Sequence, residues 1–485
     1  MQAEGAHETY IIKKEVFIVK YYVDKNVVLT PYQVRAYVED FKASEEMKRL
    51  KMLDDYYHGK NHGINDRVIN NGINNKLISG FPRYICTMTT GYFTGNTDSI
   101  TYNFPKDNEE ITDNFAYNDE SAVTTNLSLH MSIYGYAVEQ YYIDEAGEFR
   151  FKCISPMNAV LLFEDNIEED LCGVIKFREY PFKDAIGREV TKQVIEYYTK
   201  DLYREYVFFD EALQTNEEEN EIEELNVFAD VPFTYYENPD RMGDFENVIS
   251  LIDAYDSVLS DNNDLMDYFA DAYLILKGFS MDDTVNLKQL KGIEIPQDGD
   301  ISYLAKPQVS NDIITFTDTL KRDIHKFSFT VDLTDKDYLT SQSGISQKLK
   351  LQGLEFLTSL KEANLRKGLL RRLELLAGFK SLANSTFEYQ KAVIVFKRNT
   401  IEALSEVLDA VLKLKGIISD ETLLTKIPDI DPDVEIKKLK KQKEQNMIDF
   451  NVPNPNNPND FYKKQHNPQQ PKVEEEVEED ESATE

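Results

Sequence analysis

Two groups of residues in this sequence, one of histidines and one of aspartates, have a spacing similar to that of metal ligands. His58 and His62 are four positions apart, the separation at which two zinc ligands lie on one face of a helix. Gly59 and Gly63 follow them directly and disfavour a rigid helix at this point. The pair is therefore interpreted as part of a surface turn.

A second group resembles a fragment of a calcium-binding loop. Asp332, Asp335 and Asp337 lie close together, but the glycine at the sixth position and the closing glutamate of such a loop are missing. Carboxylate pairs elsewhere give only weak support to a two-metal nuclease, because the chain has 87 acidic residues. The sequence contains no P-loop and no G-x-S-x-G, H-E-x-x-H or C-x-x-C motif. We therefore expect a protein that is not an enzyme and has no cofactor, with a metal-dependent nuclease as a remote alternative.

Length and charge set the class of protein. A chain of 485 residues with 41% hydrophobic residues suggests two to four domains or lobes with real cores. Its formal charge of −33 repels phosphates, so tight binding of nucleic acid over the whole surface is excluded. Residues 1–9 do not resemble a signal peptide, and no run approaches the ~18 apolar residues that would span a bilayer. We expect a soluble protein that does not enter a membrane.

The first 243 residues combine helical and strand patterns. Helices are predicted over 31–57, after a turn within 70–92, and over 121–136. Val138–Ile143 and Phe149–Ile154 are strand-like runs joined by a turn in which Gly147 supplies a positive φ. Further strands are predicted within 10–30 and at 158–163, 172–180, 190–198 and 203–209, with an acidic turn or loop at 216–224. The sequence therefore predicts an α+β fold.

A long helix is predicted over 244–271. Its apolar residues follow a spacing of three and four, and a second side is acidic, with Asp253, Asp256, Asp264, Asp267 and Asp271. The segment 272–308 that follows is less acidic and carries Lys277, Lys288 and Lys291. Short strands are predicted in it at 273–276 and 293–295. From these residues alone, 244–271 is interpreted as a core helix whose acidic side faces solvent.

The remaining segments are mostly helical. A helix is predicted over 311–329, a polar loop over 333–344, and a long helix over 345–382 that glycines interrupt. A strand is predicted at 393–396 and helices over 400–446, before a tail rich in Asn, Pro and acidic residues. The glycines of the long helix mark bends or positions of close packing.

Several short phrases occur in a recognisable order along residues 40–450. They are 56–59 (YYHG), 74–77 (NNKL), 91–95 (GYFTG), the hairpin turn at 144–147, 231–233 (VPF), 416–422 (GIISDET) and 431–435 (DPDVE). With the order of helices and strands, they resemble the portal proteins of tailed double-stranded DNA bacteriophages. The most similar type is found in long-tailed siphophages of Gram-positive hosts.

The resemblance implies a phage portal fold with a mixed α/β wing, a helical stem, a small β-rich clip and an α-helical crown. The implied parts are an N-terminal wing region (1–243), a stem helix (244–271), the clip (272–308), a second stem helix (309–330), a tunnel loop (331–344), a long wing helix with a return strand (345–399), the crown (400–452) and a disordered acidic tail (453–485). Residues 333–343 contain no glycine, whereas many tunnel loops of the family are richer in it.

The implied function is that of a ring, usually of twelve copies, at one capsid vertex of the virion. Double-stranded DNA passes through its channel during packaging and ejection. Implied partners are the terminase large subunit, then a head–tail adaptor protein, together with the major capsid and scaffolding proteins, and assembly would take place in the host cytoplasm. Another virion structural protein, such as a tail or baseplate component, is the alternative.

The resemblance also assigns candidate residues. The tunnel loop would include Asp332, Leu333, Thr334, Asp335, Lys336, Asp337 and Tyr338. Candidate phosphate contacts are Lys321, Arg322, Lys326 and Lys336, each of which is otherwise an ordinary surface or salt-bridge residue. The acidic side of 244–271 would line the tunnel and keep friction with DNA low. Lys277, Lys288 and Lys291 of the clip would contact partners.

Overall fold

The chain forms two compact units, residues 1–400 and 401–485. The computed structural model describes residues 14–15, 18–24, 28–68, 73–105, 109–183, 187, 189–209, 221–228, 230–268, 274–277, 300–303, 311–335, 348–382, 388–400, 411–424, 427 and 435–443. All sheets in these ranges belong to the first unit. Helices and strands are both abundant there, so the α+β class is confirmed.

The helix predicted over 31–57 is two helices, α1 (Pro31–Ala43) and α2 (Glu45–Tyr57). Ser44 separates them with an extended backbone at ψ 157°, and its hydroxyl accepts a hydrogen bond from the Met47 amide at 3.2 Å. A serine in this position satisfies a free amide at the start of the next helix, which favours the break. The single-helix prediction is therefore wrong at Ser44.

Four more helices belong to the N-terminal region: α3 (His62–Asn65), α4 (Phe81–Thr94), α5 (Glu109–Tyr117) and α6 (Glu120–Tyr134). The predictions within 70–92 and over 121–136 are confirmed by α4 and α6, whereas α5 was not predicted. Gly135, at φ +82°, ends α6 in the left-handed conformation that glycine adopts without strain.

The predicted hairpin is confirmed as β5 (Tyr136–Ile143) and β6 (Phe149–Ile154), which pair antiparallel. Gly147 lies in the turn at φ +83°, and its amide donates to the Asp144 carbonyl at 2.9 Å. Strand β12 (Phe233–Glu237) pairs with the other edge of β5 and completes a three-stranded sheet.

A larger sheet has the strand order β11-β10-β9-β8-β7-β3. Its strands are β3 (Tyr21–Val23), β7 (Ala159–Glu164), β8 (Leu171–Lys183), β9 (Glu189–Thr199), β10 (Leu202–Phe209) and β11 (Glu221–Leu225). The predicted meander is confirmed. The predicted acidic loop at 216–224 is wrong from Glu221 onward, because β11 pairs with β10 and Glu223 forms an ion pair with Arg204 at 2.8 Å. Within 10–30, β1 (Lys14–Glu15) and β2 (Ile18–Val19) also pair.

The main core lies between the six-stranded sheet and the helices α1 and α2. Val38 and Leu50 of these helices are fully buried and belong to one hydrophobic cluster with Leu162 and Ile175 of the sheet. A further cluster joins α6, β5, β12 and the long helix described next. These contacts fix the helical section of the chain on the sheets.

That helical section comprises α7 (Ile249–Tyr268), α8 (Asn311–Phe327) and α9 (Gln352–Leu382). All three were predicted. Helix α7 begins five residues later than predicted, α8 begins at the predicted Asn311 and ends two residues earlier, and α9 ends at the predicted Leu382. Between α7 and α8, β13 (Leu274–Lys277) pairs antiparallel with β14 (Asp300–Tyr303). The strand at 273–276 is therefore confirmed with a shift of one residue, β14 was not predicted, and 293–295 lies outside the described residues.

Gly368 of α9 marks close packing. A Cβ at this position would lie 2.2 Å from Cε1 of Tyr236 on β12.

The strand predicted at 393–396 is confirmed as β15 (Val393–Phe396), which pairs with β4 (Ile100–Asn103).

The second unit contains α10 (Asp420–Leu424) and a helix α11 over 435–443. Helical residues also occur at 411–414, so the described parts of 400–446 are largely helical as predicted. The tail from 453 lies outside the described residues. Within the described residues, no helix is long and apolar enough to cross a membrane.

Candidate functional site

The acidic side of α7 contacts the chain's own residues 56–68 and 73–79. The hydroxyl of Tyr56 donates to Asp253 at 2.8 Å. Asp256 is fully buried and accepts hydrogen bonds from the Asn61 amide group and the Ser79 backbone, each at 2.8 Å. Burial raises the pKa of Asp256, although the hydrogen bonds from Ser79 and Asn61 oppose the rise. This carboxylate has no surface that could face a tunnel.

The same contact continues toward the end of α7. The backbone amide of Asn75 donates to Asp264 at 2.7 Å, and its side chain donates to Asp267 at 2.6 Å. Arg67 forms an ion pair with Asp264 at 3.0 Å and also contacts Asp261. We call residues 56–68 and 73–79 the α7 clasp, because their polar groups contact acidic residues of α7 from Asp253 to Asp267. Asp271 lies outside the described residues.

The start of the candidate tunnel loop is held by an ion pair. Lys321 of α8 lies 2.7 Å from Asp332, whose other oxygen accepts from the Thr334 amide at 2.9 Å. Burial alone would raise the pKa of Asp332, but the hydrogen bonds from Lys321 and Thr334 outweigh it and lower that pKa to about 2. Lys321 therefore serves as an intramolecular partner in this chain.

A second set of contacts holds the same segment to α4. The Tyr84 hydroxyl donates to the Val331 carbonyl at 2.6 Å. The buried ring of His325 lies edge-on to Phe81 and Tyr84, with centroid distances of 5.6 and 5.5 Å, and its Nδ1 is 3.1 Å from the Thr330 hydroxyl. Desolvation lowers the pKa of His325. Residues 328–332 are thus anchored on both helices.

Of the other candidate residues, some are exposed, Lys277 lies in β13, and the rest lie outside the described residues. Arg322 and Lys326 are exposed on α8, and Lys326 lies 5.1 Å from the Phe327 ring centre. Leu333, Thr334 and Asp335 are exposed after the ion pair. Lys277 is the last residue of β13. Lys288, Lys291, Lys336, Asp337 and Tyr338 lie outside the described residues.

Two fully buried cations of α9 were missed at the sequence level. Lys361 forms an ion pair with Asp244 at 2.7 Å and donates to the Ser132 hydroxyl at 2.6 Å. Arg372 lies 2.8 Å from Glu139 and 2.7 Å from Glu120.

The spacing along α9 contains a partial signal. Leu354, Lys361, Leu365 and Arg372 share the buried side of the helix, so the two cations continue an apolar stripe. Burial of charges in such a position requires paired acids from elsewhere in the chain. The spacing of Lys361 and Arg372 indicates buried positions, whereas charged side chains are usually exposed.

His58 and His62 both contact oxygen atoms of α2. His62 Nε2 lies 3.0 Å from Asp55, and His58 Nδ1 lies 2.8 Å from the Asp54 carbonyl. Within the described parts of the chain, no group of three or more His, Cys, Asp or Glu side chains could hold a metal ion. His62 begins the short helix α3, where Asn61 provides the N-terminal hydrogen bond.

Comparison with known proteins decides between the open functions. The model of the phage portal protein family, SPP1 Gp6-like, matches residues 41–449. The chain belongs to this family of portal proteins. The portal protein of Bacillus phage SPP1 is 22% identical over 394 residues, which cover 77% of each chain.

As a portal protein, the chain is a structural component of the capsid vertex of a bacteriophage virion. The family implies an oligomeric ring through which DNA passes, with general contacts to the capsid and the terminase. The match covers the α7 clasp, both helices α7 and α8, the anchored segment 328–332 and α9. It sets aside the tail, baseplate and nuclease alternatives for this portal protein.

Proposed function

We propose that the parts of this portal protein correspond to the segments expected from the sequence. Helices α7 and α8 are the two stem helices, and the segment 272–308 between them is the clip. Residues 331–344 are the tunnel loop, α9 is the long wing helix, and 400–452 is the crown. The observation that supports this order is that α7 and α8 pack together, while β13 and β14 pair between them in sequence.

The proposed tunnel contacts follow from exposure. Arg322 and Lys326 project from α8 into solvent, and with Lys336 they are the proposed phosphate contacts. Lys321 is a positioning residue instead, because its ammonium group is paired with Asp332. Cations at a few positions attract DNA locally, while the charge of −33 per chain prevents tight binding elsewhere.

The proposed partners bind at different parts of the ring. The terminase large subunit, and after packaging the head–tail adaptor, contact the clip through Lys277, Lys288 and Lys291. The major capsid and scaffolding proteins contact the wing. Assembly in the host cytoplasm gives a ring of twelve copies.

Electron microscopy of the purified protein tests the ring. We expect class averages with a central channel wide enough for a DNA duplex and twelve subunits around it. A protein that stays monomeric under assembly conditions, or that polymerises without a channel, would contradict the proposal.

An in vitro packaging assay tests the tunnel loop. Shortening residues 333–343, or the substitution Lys336→Gln, should reduce packaged DNA while rings still form. Lys391→Gln is the matched control. It also removes one exposed lysine, which lies outside the proposed loop and forms an ion pair with Glu388 at 2.6 Å. Normal packaging by the shortened loop would show that residues 333–343 are not the tunnel loop.

A further inference from the structure

Helix α11 concentrates positive charge in a chain that is otherwise strongly acidic. The whole sequence has 87 acidic and 54 basic residues, yet residues 436–443 include five lysines and no acidic residue. These lysines are Lys437, Lys438, Lys440, Lys441 and Lys443. A local cationic surface of this density is the arrangement that a polyanion recognises.

The lysines of α11 are exposed and mostly without acidic partners. All five side chains are exposed, and Lys438 is 3.5 Å from Glu435. The other four form no ion pair with any residue that the structure describes. Two other exposed lysines, Lys48 and Lys60, have carboxylate partners at 2.7 and 3.1 Å.

Helical geometry brings these charges close together. Residues three and four apart are neighbours on a helix, so Lys437 lies beside Lys440 and Lys441, and Lys440 lies beside Lys443. At about 100° per residue, the five lysines cover more than half of the circumference, while Leu439 lies outside this arc. Like charges in these positions destabilise the helix unless an anion outside it compensates them.

We propose that α11 binds the phosphate backbone of duplex DNA. The inference rests on the proposed function in one respect, since a portal ring has DNA next to it. Lysines act as point charges on phosphates and read no sequence, so the contact is independent of base sequence. The acidic surface elsewhere repels the duplex and keeps the contact at α11.

The chain itself contains a second candidate anion for this surface. Residues 474–481 of the chain contain seven acidic residues, and they could bind α11 in place of DNA. Duplex DNA carries about one charge per 1.7 Å and releases condensed counterions when lysines bind it. An extended acidic peptide carries at most about one charge per 3.5 Å, so its charge density is about half that of the duplex. These differences favour DNA.

The test measures binding of the assembled full-length protein to covalently closed, relaxed circular DNA by fluorescence anisotropy or filter retention. A closed circle cannot thread through a preassembled ring, so the signal comes from outer surfaces and not from the channel. The variant combines Lys437→Gln, Lys440→Gln and Lys441→Gln. The control combines Lys48→Gln, Lys60→Gln and Lys391→Gln, which changes the net charge equally at exposed lysines with acidic partners.

We expect the α11 variant to bind circular DNA more weakly, and the slope of log affinity against log salt to decrease by about 0.9 for each phosphate that the variant no longer neutralises. The control should bind like the unmodified protein. Equal binding by the two variants would overturn the proposal. Failure of ring formation in electron microscopy would contradict the proposed function but would leave this comparison valid.

Cross-linking distinguishes the two anions. A zero-length carbodiimide reagent joins lysines to carboxylates that they contact, and mass spectrometry locates the link. We expect few links between α11 and 474–481 when DNA is present. Abundant links that persist with excess DNA would identify the chain's own acidic run as the occupant and would overturn the assignment to DNA.

Discussion

The ammonium group of Lys361 lies 2.7 Å from a carboxylate oxygen of Asp244, and neither side chain has any exposed surface. Asp244 also accepts a hydrogen bond from Asn238 at 2.8 Å, so the pair ties α9 to the chain just before α7. A buried pair of this kind is costly to break, because the remaining charge loses its compensation.

Lys361→Met should therefore lower the free energy of unfolding by about 3–5 kcal/mol, as removal of one partner of a buried pair does. Urea unfolding monitored by circular dichroism measures the change. Adding Asp244→Asn to Lys361→Met should restore part of the loss, since no lone charge remains. Lys367→Met, at an exposed position of the same helix, is the control. A single variant as stable as the control would show that the pair contributes little.

Arg372→Lys should destabilise the protein although it keeps the charge. The guanidinium of Arg372 bonds both Glu139 and Glu120, and a lysine cannot reproduce this fork. Loss of such charged hydrogen bonds should cost about 1.5–3 kcal/mol. Arg322→Lys, on the exposed side of α8, should change stability by less than about 0.5 kcal/mol. Thermal unfolding of the two variants in parallel checks the difference, and equal midpoints would refute it.

Two glycines of α9 should respond to alanine in opposite ways. Gly368→Ala would place a Cβ 2.2 Å from Tyr236, whereas the nearest atom at Gly353 is 3.6 Å away. Overpacking at Gly368 should cost about 1–3 kcal/mol. Gly353→Ala should stabilise the helix by about 0.5–1 kcal/mol, because alanine loses less backbone entropy than glycine. Melting temperatures of the two variants give the answer, and a loss in both would contradict the packing argument.

The anchor of the proposed tunnel loop should weaken in acid. The pKa of Asp332 is lowered from 3.8 to about 2, so its stabilising effect is complete above about pH 4. It is lost as the pH falls through about 2, where the carboxylate takes up a proton. The readout is hydrogen exchange of the backbone amides of Thr330 and Asp335, corrected for the intrinsic pH dependence of exchange.

Asp332→Asn should speed this exchange at neutral pH and remove its acid dependence. Asp312→Asn, an exposed acid of α8, is the control and should leave the exchange unchanged. If Asp332→Asn matched the control at every pH, the ion pair with Lys321 would not be what holds residues 330–335.

Local patterns in the sequence predicted much of the fold. The glycine turn at Gly147 defined the hairpin, and the spacing of apolar residues located α6, α7, α8 and α9. The break at Ser44 was missed, because apolar periodicity continues across it while the capping hydroxyl depends on backbone geometry. Strand β11 was missed for a related reason, since its acidic residues resemble a loop until Arg204 on the neighbouring strand is known.

The candidate site was harder to predict because its contacts join distant parts of the chain. The spacing of Asp253 and Asp256 shows that they share a side of α7, but it does not show that Tyr56 and Asn61 cover that side. The anchoring of residues 328–332 depends likewise on Tyr84, more than 200 positions earlier. Helix faces can be read from one segment, whereas the neighbour of a face depends on the whole fold.

The α7 clasp has a mechanical consequence. Contacts from Asp253 to Asp267 hold α7 over a length of about 21 Å, at 1.5 Å per residue. Rotation of this helix about its axis would break its polar contacts with Asn61, Arg67 and Asn75, unless these residues move with it. The helix and the clasp should therefore move together. A force on Tyr268 would then reach α2 through the hydrogen bond of Tyr56.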